Sequence, residues 1–216
     1  MNIKMSIVIF ILLSFFNIGA ISSDIVSAQN SFNTLEMKVK DISEFQENGV
    51  KLQYRTKNNI ANEAYRIKEN LPRNMALSYK DGGNDEFEAF NSDFNIDIKI
   101  WREDVYSYVE IILTNKNPKY GTKYLKNILK NIENSKLENM QYFLYYEGKE
   151  KGLDSDYFTN GLVSEYNIRK AQLMKISNGY SGTGYLNDGE KINFALVDYD
   201  TGSHIIIGTP IIFTTY

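Results

Sequence analysis

Apolar residues recur along this chain with two alternating periods. Over residues 30–48, Phe32, Leu35, Val39, Ile42 and Phe45 step by three or four, which places them on one stripe of a helix. Asn48-Gly49 is the expected end of that helix, because glycine suits the left-handed position after a last turn. The period then drops to two. Val50, Leu52 and Tyr54 alternate with Lys51, Gln53 and Arg55, predicting a half-buried strand over 50–57. Asn59 can cap a second helix carrying Ile60, Ala64, Ile67 and Leu71, and Pro72 stops it. Strands follow at 75–79 and 86–94, separated by the turn signal Asp81-Gly82-Gly83-Asn84. Ile96, Ile98 and Ile100 alternate with Asp97, Lys99 and Trp101, and a longer β-branched and aromatic strand covers 105–114.

After Asn117-Pro118 the order starts again. Leu125, Ile128, Leu129, Ile132 and Leu137 predict an amphipathic helix over 120–139. The run 141–146 is apolar on both faces and reads as a central strand. Asp154 can cap a helix bearing Tyr157, Phe158, Leu162 and Val163. Strands are expected at 171–176 and 192–198, a loop at 178–184, and a last strand at 204–216 interrupted at Gly208 and Pro210. Matching strands in the two halves lie about 90–100 residues apart, which predicts two pseudo-repeats, about 30–116 and 117–216. The expected fold is α+β: helix-strand-helix-strands twice over, forming one extended antiparallel sheet with helices on one face and the other face partly open.

The N-terminus has a different pattern. Lys4 precedes the apolar run 7–16, and small residues follow, the layout of a secretory signal. Cleavage sites fit after Ala20 and after Ala28. The second gives a signal over 1–28 and a mature domain over 29–216. The competing reading is an uncleaved anchor, although a spanning helix wants about 20 mostly apolar residues and this run is interrupted by Ser6, Ser14, Asn17 and Gly19. Either reading predicts an exported protein of the extracellular space or cell envelope, touching a membrane only through this segment if it is retained.

Composition narrows the chemistry. The 16 Tyr, 12 Phe and 43% hydrophobic residues exclude intrinsic disorder. With 0 Cys there is no disulfide, no thiolate metal site and no cysteine nucleophile, and 1 His leaves no histidine pair for a metal. The net charge of −3 argues against a nucleic-acid partner.

The C-terminal stretch carries a resemblance. Ile207-Gly208-Thr209-Pro210-Ile211-Ile212, then Thr214-Thr215-Tyr216, is similar to the closing motif of the YwmB family. So are Asn178-Gly179-Tyr180 and the strand Lys191-Ile192-Asn193-Phe194-Ala195-Leu196 before it. The similarity is concentrated in about the last 40 residues. It implies a small exported protein of spore-forming Firmicutes with a TATA-box-binding-protein-like fold, a duplicated α+β saddle, linked to the cell wall or sporulation. It implies no catalytic residues, and a fold alone does not give function.

Known constellations are weak here. Gly184 and Gly189 have phosphate-loop spacing, but Glu190 stands where the lysine belongs, so a hairpin loop is expected. Asp81, Asp85 and Glu86 lack calcium-loop spacing. Asp154 and Asp156 at i and i+2 do not face each other as a glycosidase pair would. His204 reads as an ordinary strand-end histidine. No cofactor, metal site or catalytic residue is assigned. The positive signal is aromatic: strand alternation puts Trp101, Tyr106 and Tyr108, with Asn193, on the face away from the helices. Such a surface can stack sugar rings or peptide side chains. The expected function is a non-enzymatic binding or accessory domain whose partner is a cell-wall glycan or an envelope protein. The alternatives are a wall hydrolase using carboxylates and a structural subunit of a membrane complex.

Overall fold

The structure, a computed structural model, describes residues 25–83, 85–152, 164 and 168–214. Three helices of the described residues are α1 (Ile25–Ile42), α2 (Ile60–Asn70) and α3 (Thr122–Lys130). The strands are β1 (Ser43–Thr56), β2 (Ser78–Asp81), β3 (Glu86–Phe90), β4 (Phe94–Glu103), β5 (Tyr106–Asn115), β6 (Glu138–Glu150), β7 (Arg169–Ile176), β8 (Gly179–Tyr185), β9 (Lys191–Tyr199) and β10 (Gly202–Thr209). They form one 10-stranded sheet in the order β2-β3-β4-β5-β1-β6-β10-β9-β8-β7, and every pairing is antiparallel. The α+β class and the extended antiparallel sheet therefore match the sequence expectation.

One face of the sheet builds the main core. Val50, Leu52 and Tyr54 of β1, Ile96, Ile98 and Ile100 of β4, and Ile192 and Phe194 of β9 are buried with Phe32, Leu35 and Val39 of α1, Ile67 of α2, and Leu125 and Leu129 of α3. The alternation seen in the sequence is this inward set, since residues two apart share a face. All three described helices contribute to that one core. The helix expected after Asp154 lies outside the described residues, as do the signal segment up to Asp24 and its cleavage site after Ala20. Ala28, the other cleavage site, falls within α1.

Several boundaries move, each for a visible reason. The first helix ends at Ile42, so Phe45 belongs to β1 and Asn48-Gly49 lies inside that strand rather than at a helix end. Asn48 is kept there by its amide, which donates to Tyr120 O at 2.9 Å and Glu36 Oε1 at 3.1 Å. Gly49 leaves room for the Tyr145 ring that covers it. The third helix stops at Lys130, well short of residue 139. Residues 178–184, expected as a loop, lie largely in strand β8. Their glycines mark close approach: a Cβ at Gly182 would lie 2.5 Å from the Phe194 ring, and one at Gly184 would strike Ile168. The last strand ends at Thr209 instead of running to residue 216.

Two buried polar clusters fix the helices to the sheet. Glu36 of α1 is buried and accepts from Thr122 N at 3.2 Å and Thr122 Oγ1 at 2.5 Å, capping the start of α3. Lys40 neutralises it at 3.1 Å. Glu63 of α2 receives Tyr54 Oη at 2.7 Å, Asn58 Nδ2 at 2.7 Å and Arg66 Nη2 at 2.5 Å. Arg66 Nη1 goes on to Ile132 O at 2.6 Å, tying α2 to the chain just after α3.

Burial by itself would raise the Glu63 carboxyl, but the hydrogen bonds from Arg66, Tyr54 and Asn58 outweigh it and hold the pKa below the ordinary 4.5. A depressed carboxylate pKa contributes stability that is present above the unfolded value and is lost as pH falls through the folded one. The denaturant midpoint is therefore expected to fall on acidification below pH 4.5, and Glu63→Gln to flatten that dependence while costing about 3 kcal/mol at neutral pH. Urea titrations of both proteins across pH 3 to 7 check it (pH range about that of carboxylate titration); an unchanged slope in the variant refutes the assignment. Separately, Gly182→Val is expected to lower stability by about 1–3 kcal/mol through collision with Phe194, read as a drop in melting temperature.

Candidate functional site

The face opposite the main core is ordered into rows by strand register. Trp101 of β4 pairs with Tyr108 of β5, and Tyr108 pairs with Arg55 of β1. The next row runs Lys99, Glu110, Gln53 and Gln141 across β4, β5, β1 and β6. Because these residues share side-chain parity, the two rows lie side by side on one surface.

The first row is an aromatic platform. The Trp101 and Tyr108 rings stack with centroids 5.8 Å apart and 16° between their planes. The Arg55 guanidinium lies over the Tyr106 ring at 4.3 Å, and Glu138 holds it through Nε at 3.2 Å and Nη2 at 3.0 Å. The Arg55 and Glu138 side chains are 30% and 39% exposed, so both reach solvent beside the rings. Strand pairing fixes these positions: Trp101 is laddered to Tyr108, Tyr108 to Arg55 and Arg55 to Glu138, which preorganises the platform.

The middle of the second row, with Lys51 of the row beyond it, is closed, while Lys99 at its end is exposed. Gln53, Glu110 and Lys51 are all buried, with Gln53 Nε2 donating to Glu110 Oε2 at 2.6 Å and Lys51 Nζ at 3.4 Å from the same oxygen. Burial lowers the Lys51 pKa, partly offset by Glu110. Lys51 Nζ also lies 4.5 Å from the Phe143 ring centre. The middle of this face is thus packed against itself, so the face is open only in part.

Of the four residues singled out in the sequence, the structure brings three together. Trp101, Tyr106 and Tyr108 adjoin on β4 and β5. Asn193 lies on β9, with β5, β1, β6 and β10 between it and β4. Its amide donates to Pro210 O at 2.8 Å and so serves the chain's own backbone. Arg55, Glu138, Gln53 and Glu110 escaped sequence reading. The alternation of Lys51, Gln53 and Arg55 marked them as outward, but nothing local told which strand would lie alongside.

Asp154 and Asp156 lie outside the described residues, while His204 and the 186–190 segment make contacts within the fold. His204 Nδ1 lies 2.7 Å from Glu147 Oε1, with the Tyr199 ring edge-on against its imidazole. Residues 186–190 form the β8–β9 turn, where Leu186 N donates to Glu190 O at 2.8 Å. Among the described residues no group of three or more His, Asp or Glu converges as a metal site, and no helix is long and apolar enough to cross a membrane.

Neither protein-family models nor curated proteins give a match to this chain. The chain contains 1 Trp, so its fluorescence reports on the platform directly. Tyr108→Ala is expected to shift Trp101 emission to longer wavelength by exposing the indole while the far-ultraviolet circular dichroism stays unchanged. An unshifted spectrum would mean that the stack is absent in solution.

Proposed function

We propose that this chain is an exported cell-envelope protein of the YwmB type whose aromatic platform binds a cell-wall glycan without catalysing a reaction. The observation that carries the reading is the stacked Trp101–Tyr108 pair with Arg55 and Glu138 beside it. Sugar rings offer C–H faces that pack on aromatic rings, and their hydroxyls take charged hydrogen-bond partners of both kinds at the rim. The signal-like N-terminus and the C-terminal sequence resemblance support the envelope setting.

Strand order supports a duplicated, TATA-box-binding-protein-like architecture. Counted outward from the central β1–β6 pair, one half runs β1, β5, β4, β3, β2 and the other β6, β10, β9, β8, β7. Each half thus repeats the same order, with its first strand at the centre and its second at the edge. In this reading the sheet is a scaffold for surface contact, and the acidic chain uses it on something other than nucleic acid.

The test is retention on purified peptidoglycan. The unmodified protein is expected to sediment with it, and W101A/Y106A/Y108A to stay in the supernatant with an unchanged thermal transition. Equal retention of both proteins removes the platform from the function. Release of soluble wall fragments during incubation would favour a hydrolase over a binding module.

A further inference from the structure

We infer that β7, the strand at one end of the sheet, is a docking edge for an extended acidic segment of a partner protein, which adds to it as a further strand. The segment carries two adjacent apolar residues with an acidic residue on either side of them. This edge is separate from the aromatic platform on β4, β5 and β1, and the inference does not rest on that reading.

The two ends of the sheet differ. β2 is 4 residues long, and its charges are neutralised within the molecule: Lys80 meets Glu88 at 3.4 Å and Asp81 meets Lys68 at 2.7 Å. β7 is 8 residues long, and most of it is exposed. It pairs with β8 on one side, and no described strand lies on the other. Such an edge offers a row of backbone donors and acceptors to an extended chain laid beside it. β7 contains Arg169, Lys170 and Lys175 and no acid. Among the described residues none of these three cations makes an ion pair.

Side-chain direction defines the partner. Leu173 pairs with Gly182, which lies against Phe194 of the main core, while Met174 pairs with Ser181 on the opposite face. Leu173 is 41% exposed and Met174 65%. An added strand covers both with apolar residues at two successive positions, one for each face. The β7–β8 register shifts between Arg169 and Gln172, where Lys170 has φ 51°, so regular pairing is available over residues 172–176. At that shift Arg169, Lys170, Tyr185 and Gly189 line a cleft of about 240 Å³. Pockets for whole small ligands run to roughly 300–1,000 Å³, so this one suits a single side chain. Arg169 Nη2 donates to Leu186 O at 3.0 Å and Asn187 O at 2.9 Å, which holds the guanidinium at the cleft. Asp188 of the neighbouring turn has its Oδ1 taken by Glu190 N at 3.0 Å. A carboxylate entering the cleft meets Arg169 and Lys170, and a second one meets Lys175 toward the other end of the strand.

A second copy of this chain is a poor occupant. Antiparallel pairing of β7 with itself over its whole length sets Lys170 opposite Lys175 twice and brings no carboxylate to Arg169. Like charges directly opposed across a strand pair are destabilising. Charge therefore selects an acidic partner.

The probes are fluorescent peptides, titrated by anisotropy against the full chain at low salt. Glu-Thr-Ile-Val-Thr-Glu is expected to bind at least about tenfold more tightly than Lys-Thr-Ile-Val-Thr-Lys. Methylating the two central amide nitrogens of the acidic probe keeps its charge and side chains. It is expected to abolish binding, because one of the two must donate to β7 in strand addition. K170E/K175E is expected to reverse the preference between the acidic and lysine probes with an unchanged thermal transition. Equal binding of those two probes by the unmodified protein, undiminished binding of the methylated probe, or no binding of the acidic probe overturns the inference. A dimer of the unmodified protein in sedimentation equilibrium that the acidic probe leaves intact gives the edge to a second copy and overturns it equally. Retention of K170E/K175E on peptidoglycan is expected to match that of the unmodified protein, so failure of the platform reading and failure of this one are told apart.

Discussion

The antiparallel ladder between β1 and β6 is the constraint on which the rest of the sheet depends. Among the described residues it is the pairing that links one five-stranded half to the other, from Ser43↔Glu150 to Arg55↔Glu138. Both strands are buried on both faces along their middle: Val50 and Leu52 with Leu144 and Tyr146 below, Lys51 and Gln53 with Phe143 and Tyr145 above. A one-residue slip would exchange these sets and strand the Lys51 charge among aliphatic side chains in the main core. Asn48, in the same ladder, reaches Glu36 and thereby α1 and the start of α3. Register, helix placement and capping are thus one coupled arrangement.

The two faces use polar groups differently. Toward the helices, buried charges are wholly employed in holding elements together, as Glu63 is by Tyr54, Asn58 and Arg66. Removing one partner would leave an uncompensated charge, which gives these clusters their weight. On the opposite face, Lys51, Glu110 and Gln53 close the middle, and the chain after β10 closes one side. The aromatic row at Trp101, Tyr108 and Arg55 stays partly in reach of solvent, as do Lys99 and Glu86 beside it.

Much of the fold was legible because periodicity reports burial directly. The alternation at Ile96, Ile98 and Ile100 became buried β4, and the doubly apolar run near Tyr142 became a central strand. Asn59 caps α2 as its type suggested, accepting from Asn62 N at 2.9 Å. Misreadings came where a local signal had a second, nonlocal cause. Asn48-Gly49 looks like a helix end, yet the asparagine serves an interior network and the glycine makes room for Tyr145. Gly179, Gly182 and Gly184 look like a loop, yet they let Leu196, Phe194 and Ile168 lie close over a strand. Glycine records close approach and turns alike, and sequence does not tell which.

By itself, then, the sequence determined which residues go inside, the α+β class, and the shared outward direction of Trp101, Tyr106 and Tyr108, because each of these is set within a few residues along the chain. Only the tertiary structure decided that Arg55 and Glu138 join those rings while Asn193 does not. Strand adjacency made that choice, and it is fixed by the summed packing and hydrogen bonding of segments far apart in the chain, which no local pattern encodes. The same nonlocal balance laid Ile212 and Phe213, after β10, over β6, β10 and β9.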